Sequence, residues 1–139
     1  IRKSKLTKNK TVKFNPIKYN IDGYTILVGR NNVENDYLTL KYVNKSDIWF
    51  HVKDFHGSHT ILRLSDSNFK FRSDDNKNSI LDALPKNLVI ATAKLALAHS
   101  KAKNSSNVPV DYCEVKYVKK PSGSKPGMVI YTNYRTIYV

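Results

Sequence analysis

Residues 47–64 spell out a strand, a turn and a returning strand, and this stretch limits the fold more than any other. Ile48, Phe50 and Val52 alternate with Trp49, His51 and Lys53. That period of two predicts a strand with one apolar face and one face carrying an aromatic ring, an imidazole and an ammonium. Residues 54–58 supply the turn, with Gly57 free to take positive φ, and residues 58–64 return as a second strand rich in β-branched side chains. A lone hairpin is unstable in water, so more strands must flank this one and another layer must cover its apolar face. The hairpin also brings His51, His56 and His59 towards one end.

The rest of the chain supplies those layers. Phe14, Ile17, Tyr19 and Ile21 form a rough strand broken near Pro16, and Asp22-Gly23 is a hairpin turn into residues 24–28. Gly29, Arg30, Asn31 and Asn32 then lead into a short helix through Tyr37, Leu38 and Leu40, with Asn31 or Asn32 as its cap. Residues 65–79 are polar and read as a surface loop. From Pro85 to about residue 103 the apolar spacing is helical, with Leu88, Ala91, Leu95 and Ala98 on one stripe and Val89, Ala93, Ala96 and Ser100 beside it. Its alanines let the helix lie close to a sheet. Residues 110–117 return to strand, residues 118–127 form a loop of lysines, prolines and glycines, and residues 128–131 and 136–139 read as a closing hairpin around Asn133. The fold class is therefore α+β, an antiparallel or mixed sheet with one long Ala-rich helix on a face and a short helix after the first hairpin. Residues 1–13 are a basic lead-in, or the end of a preceding helix, and residues 14–139 are one domain.

Charge bounds the partners. Lys and Arg number 24 against 11 acids, a formal net charge of +13, which favours a polyanion: nucleic acid first, an anionic membrane surface second. The single Cys113 has no partner for an internal disulfide, as suits a reducing cytoplasm. No apolar run approaches the roughly 20 residues of a membrane span.

Three kinds of chemistry suit the histidine cluster. The rings can hydrogen-bond to backbone carbonyls or to Asp47 and Asp54, a purely structural role. His51, Asp54, His56 and His59 can in principle supply metal ligands, but their spacing matches no standard zinc pattern and alternates between strand faces. They can also meet a phosphate or a base. Ser58 sits in Gly-Ser-His and not in a nucleophile elbow, which makes nucleophilic catalysis the weakest of these readings. The loop at Arg30 resembles a phosphate cradle without matching a nucleotide-hydrolysing motif. His99, Lys101 and Lys103 close the long helix with positive charge, which either the helix dipole or RNA would accept.

Several motifs occur together and in order: residues 23–36, Asp-Ile-Trp-Phe-His at 47–51, Gly-Ser-His at 57–59, Ser-Lys-Ala-Lys at 100–103, Val-Asp-Tyr at 110–112 and Lys-Lys-Pro-Ser-Gly-Ser-Lys-Pro-Gly at 119–127. Together they resemble the NFACT-R domain, the RNA-binding part of a family of ribosome-quality-control factors, from about Ile17 onward. Phe55-His56 replaces an expected proline before Gly57. The resemblance implies a non-catalytic, cytoplasmic module whose parent binds stalled large ribosomal subunits carrying peptidyl-tRNA and recruits tRNA, alanyl-tRNA in bacteria, for template-free tailing. The implied partners are tRNA, large-subunit rRNA and the parent's other domains, with no cofactor, metal or membrane. The expected RNA contacts are Arg30, Asn31, Asn32, His51, Lys53, Ser58, His59, Lys119, Lys120 and Lys125, with tyrosines or Trp49 available to stack on an unpaired base, although half-buried packing is the stronger expectation for Trp49. A fibronectin-binding adhesin, similar to proteins of the FbpA type, is the runner-up, and a metal-dependent nuclease a third reading.

Overall fold

The computed structural model describes residues 14–71 and 79–139. The basic lead-in 1–13 and positions 72–78 of the polar loop lie outside the described residues.

Strands β1 (Ile17–Ile21) and β2 (Tyr24–Val28) form the first hairpin, paired from Ile21 against Tyr24 to Ile17 against Val28. Asp22 at φ 53° and Gly23 at φ 86° make its two-residue turn, whose twist matches the strands. Helix α1 (Asn32–Tyr37) follows and continues into a wider π-helical turn over Leu38–Tyr42. Asn31 caps α1, its side-chain oxygen accepting the Glu34 N–H at 2.8 Å. Then come β3 (Ile48–Val52), β4 (Thr60–Arg63), a short α2 (Ile80–Ala83) and the long α3 (Lys86–Ala98). β5 (Pro109–Glu114), a 3-10 turn (Val115–Tyr117), β6 (Val118–Lys119), β7 (Ile130–Tyr131) and β8 (Arg135–Tyr138) complete the order.

The main sheet runs β1-β2-β4-β3-β5-β8, every neighbouring pair antiparallel, and β6-β7 is a separate ribbon. Period-two alternation sends Ile48, Phe50 and Val52 to one face, where Leu88, Val89, Ala93 and Ala96 of α3 pack on them. Small residues at 93 and 96 bring the helix axis close to the strands. The other face is covered too. Trp49, Ile61, Leu27 and Cys113 lie under Leu38 of the π turn and Val118 of β6. The expectation of a half-buried Trp49 is therefore corrected: it is 1% exposed, because a ribbon formed far along the chain closes over it. Burial on both faces contributes about 1.5–3 kcal/mol per large apolar side chain.

Two buried aspartates fasten the sheet. Asp47, immediately before β3, accepts from the N–H groups of Leu64 (2.8 Å), Ser65 (2.9 Å) and Asn44 (3.0 Å), from the Ser65 hydroxyl (3.1 Å) and from Arg63 Nε (2.9 Å). It holds the start of β3 to the end of β4. Asp111, in β5, accepts from Thr136 Oγ1 (2.6 Å), from the Tyr131 hydroxyl and from Lys53 Nζ (3.3 Å), tying β8, β7 and β3 to one carboxylate.

Three expected features differ. The long helix ends at Ala98, short of residue 103, because the chain turns at His99 to lie against the central hairpin. There Ser58 N–H donates to His99 O at 3.0 Å and Lys101 N–H to His56 O at 2.9 Å. Gly57 is required there for closeness, since a Cβ would stand 2.9 Å from Ser100 Cβ; the left-handed residue of that turn is Asp54, at φ 63°. Finally, residues 128–139 do not close on themselves. β7 pairs with β6 and β8 with β5, and Val108 and Val139 exchange two backbone hydrogen bonds of 2.7 and 3.0 Å. Local turn signals cannot outweigh a ladder waiting on the open edge of β5.

Candidate nucleic-acid interface

Two adjoining depressions lie where the hairpin turn, the start of α1 and the end of α3 meet. The first is a polar groove of about 450 Å³ lined by Arg30, Asn31, Asn32, Ser58, Lys101 and Lys103, among others. The second is a cleft of about 950 Å³ between residues 54–57 and residues 125–129, floored by Trp49, His51 and Tyr131. Asn32, His56 and Gly57 border both.

The groove takes its charge from two elements. Arg30 follows β2, and its guanidinium is 45% exposed even though Nε reaches Glu34 Oε1 at 3.4 Å. Lys101 and Lys103 are exposed just beyond α3, where the helix dipole favours cations. The anion cradle expected at the start of α1 is already filled. Glu34 accepts from Arg30 N–H (2.9 Å) and Asn15 N–H (3.0 Å). Burial raises its pKa, but these backbone bonds and the Arg30 guanidinium hold the carboxyl below its ordinary value. Asn31 is engaged as the cap, so side chains, not the α1 amides, give the groove its cationic character.

The cleft is different. Its walls carry exposed apolar groups: Val33 (66% exposed), Phe55 (45%) and Met128 (57%). His51 lies parallel to Trp49, at 5.6 Å and 4°, and edge-on to His59 at 5.7 Å. Burial lowers the His51 pKa, keeping the ring neutral.

His59 is 1% exposed, so the expectation of an outward-facing RNA contact is corrected. Burial, with His51 nearby, pushes its pKa down to about 3. Gly127 O, 3.3 Å from Nε2, can only accept, so Nε2 carries the proton and Nδ1 accepts the Thr39 hydroxyl at 2.8 Å. The backbone N–H of His59 donates to Asn35 Oδ1 at 3.1 Å. One neutral ring thus joins β4, the π turn and the lysine loop.

The ten expected residues are only partly brought together. Arg30, Asn31, Asn32 and Ser58 share the groove, and His51 and Lys125 line the cleft. Lys53 is bound to Asp111, whose carboxylate raises its pKa, and lies 4.9 Å over the Tyr134 ring. Lys120 is a brace: Nζ donates to Lys125 O (2.6 Å) and Met128 O (3.1 Å) and pairs with Asp36 (3.2 Å). Lys119 is exposed on β6 and lines neither depression. Val33, in the first turn of α1, and Phe55 and Met128, in loops, are isolated apolar residues with no periodic signal that would mark them as a site. Among the described residues, no three His, Cys, Asp or Glu side chains form a metal-binding group.

A family model described as the NFACT protein RNA binding domain matches residues 10–133. The chain belongs to the NFACT RNA-binding domain family. It is 43% identical over 117 residues to the Rqc2 homolog RqcH of Bacillus subtilis, covering 84% of this chain and 18% of that protein. It is 28% identical over 115 residues to a coiled-coil domain-containing protein 25 homolog of Dictyostelium discoideum, covering 82% and 50%. Among solved structures, the C-terminal part of a fibronectin/fibrinogen-binding protein from Streptococcus suis aligns with a TM-score of 0.76 and 36% identity, over 93% of this chain and 46% of that one. The chain thus spans under a fifth of the RqcH relatives' length. The α+β fold and the membership expected from the ordered motifs are both found. Among the described residues no helix is long and apolar enough to cross a membrane.

Proposed function

We propose that this domain, residues 14–139 behind a basic lead-in, is the non-catalytic RNA-binding module of a ribosome-quality-control factor. The polar groove, where Arg30, Lys101 and Lys103 converge beside Ser58 and Asn32, is the observation that carries the proposal. Charge-assisted contacts from long, exposed side chains suit a phosphate backbone whose sequence is not read. Lys119 and Lys125, at the ribbon and its loop, extend the positive surface for a longer RNA. His51, Lys53, His59 and Lys120 then act by holding the walls in place. The parent protein would engage stalled large ribosomal subunits carrying peptidyl-tRNA in the cytoplasm, with tRNA, alanyl-tRNA in bacteria, and large-subunit rRNA as partners.

Titrating tRNA against the domain at several salt concentrations tests this. Affinity should fall steeply with salt, and each of Arg30→Ala, Lys101→Ala and Lys103→Ala should lower the slope of log affinity against log salt by about 0.7–0.9. A salt-independent affinity, or slopes unchanged in all three variants, would remove the groove from the proposal. The Streptococcus suis neighbour, named for fibronectin and fibrinogen binding, favours an adhesin as second reading. Fibronectin binding that survives excess tRNA would support that alternative.

A further inference from the structure

We infer that the apolar cleft beside the groove seats an unpaired nucleobase whose flanking phosphate lies in the groove. The inference rests on the RNA-binding proposal above and adds to it a class of substrate: a single strand or an everted nucleotide in place of uninterrupted duplex. Three observations lead there. Val33, Phe55 and Met128 are exposed apolar side chains on the walls of one cavity, where solvation is unfavourable until something flat and apolar covers them. The cavity adjoins the cationic groove, the two sharing Asn32, His56 and Gly57 as a common border, so an anionic group and a planar apolar group one linkage apart can be met side by side. Polar groups also reach the cleft: His51, neutral and fixed against Trp49, Asn32, and the lysine loop at Lys125.

A duplex offers this surface only phosphates, with its base faces stacked inside, and would leave the apolar walls uncovered. An acyl chain or an apolar peptide would cover them while leaving Arg30, Lys101 and Lys103 unanswered. A nucleotide with its base free answers both, with side chains stacking on the base face as in other single-strand readers. Phe55 and Met128 are the stacking groups, and the groove cations hold the backbone.

Fluorescence anisotropy with the 139-residue chain separates this inference from the proposal it rests on. The probes are labelled five-nucleotide RNAs of equal charge, one bearing adenines and one with every base removed. The base-bearing oligomer should bind about five- to hundredfold more tightly. Phe55→Ala and Met128→Ala, both at exposed positions, should erase most of that difference while leaving abasic binding unchanged. Lys101→Ala should weaken both oligomers alike. Equal binding of the two oligomers, or a preference that persists in Phe55→Ala and Met128→Ala, overturns the base seat and leaves backbone binding in the groove standing. Failure to bind either oligomer or tRNA overturns both.

Discussion

Replacing Asp47 with alanine should destabilise the domain by about 3–5 kcal/mol, as breaking a buried ion pair by removing one partner generally does. The carboxylate is fully buried and accepts five hydrogen bonds, all from donors: three backbone N–H groups, one hydroxyl and Arg63 Nε. Alanine strands the buried Leu64 N–H, worth about 1–3 kcal/mol. It also leaves Arg63 facing an empty site with a side chain only 15% exposed, partly compensated by the Tyr42 ring 5.5 Å away. Asparagine is no rescue, because its amide nitrogen must face a donor whichever way it turns. Urea unfolding followed by tryptophan fluorescence reads the effect, since Trp49 is the only tryptophan and is buried two residues along the chain from Asp47. With a slope near ~2 kcal/mol per molar urea for a domain of this size, the midpoint of Asp47→Ala should drop by about 1.5–2.5 M. A loss below ~1 kcal/mol, or full rescue by asparagine, would refute the role given to this carboxylate.

Two further predictions concern the hairpin turn and the buried imidazole. Gly57→Ala should cost about 1–3 kcal/mol by thrusting a Cβ to 2.9 Å from Ser100 Cβ, and a double variant with Ser100→Gly should recover much of it in a thermodynamic cycle. His59 has a folded pKa of about 3, well below its ordinary 6.5, so the unfolded chain takes up the proton first. Its contribution to stability is therefore complete above pH 6.5 and lost as pH falls towards 3, by up to ~1.4 kcal/mol per pH unit. His51 and His99 are shifted the same way by burial and add to that acid sensitivity. His59→Gln should flatten the stability profile between pH 6 and 4 by close to one proton's worth, and an unchanged slope would show the ring titrating freely.

Local chemistry made much of this fold legible. Asp22-Gly23 announced its hairpin, Asn31 its helix cap, and Pro85 with the alanine stripe the long helix. Ile48, Phe50 and Val52 declared the face that meets that helix. Period two, however, tells which residues share a face and not what covers it. Trp49 and His59 therefore lie deeper than alternation alone predicts, since their cover comes from Leu38 and Val118 in one case and from Thr39 and Gly127 in the other. The pairing of β8 with β5 was hidden for the same reason, because strand partners distant in sequence leave no mark in either strand. At the candidate site the cations were visible in composition, but Lys53 and Lys120 turn out to be bound to acids at positions 111 and 36. Only three-dimensional proximity separates a lysine that braces from one that is free to meet a ligand.

The union of β4, the π turn and the lysine loop through His59 has a temporal consequence. One wall of the cleft is made by residues 54–57, while its opposite wall waits for positions 125–129 to arrive and be latched by a carbonyl at Gly127. Emerging vectorially during translation, the polypeptide would carry an open, half-built recess for most of the domain's synthesis. Capture of a ligand there is thereby postponed until nearly all of the sheet has been made.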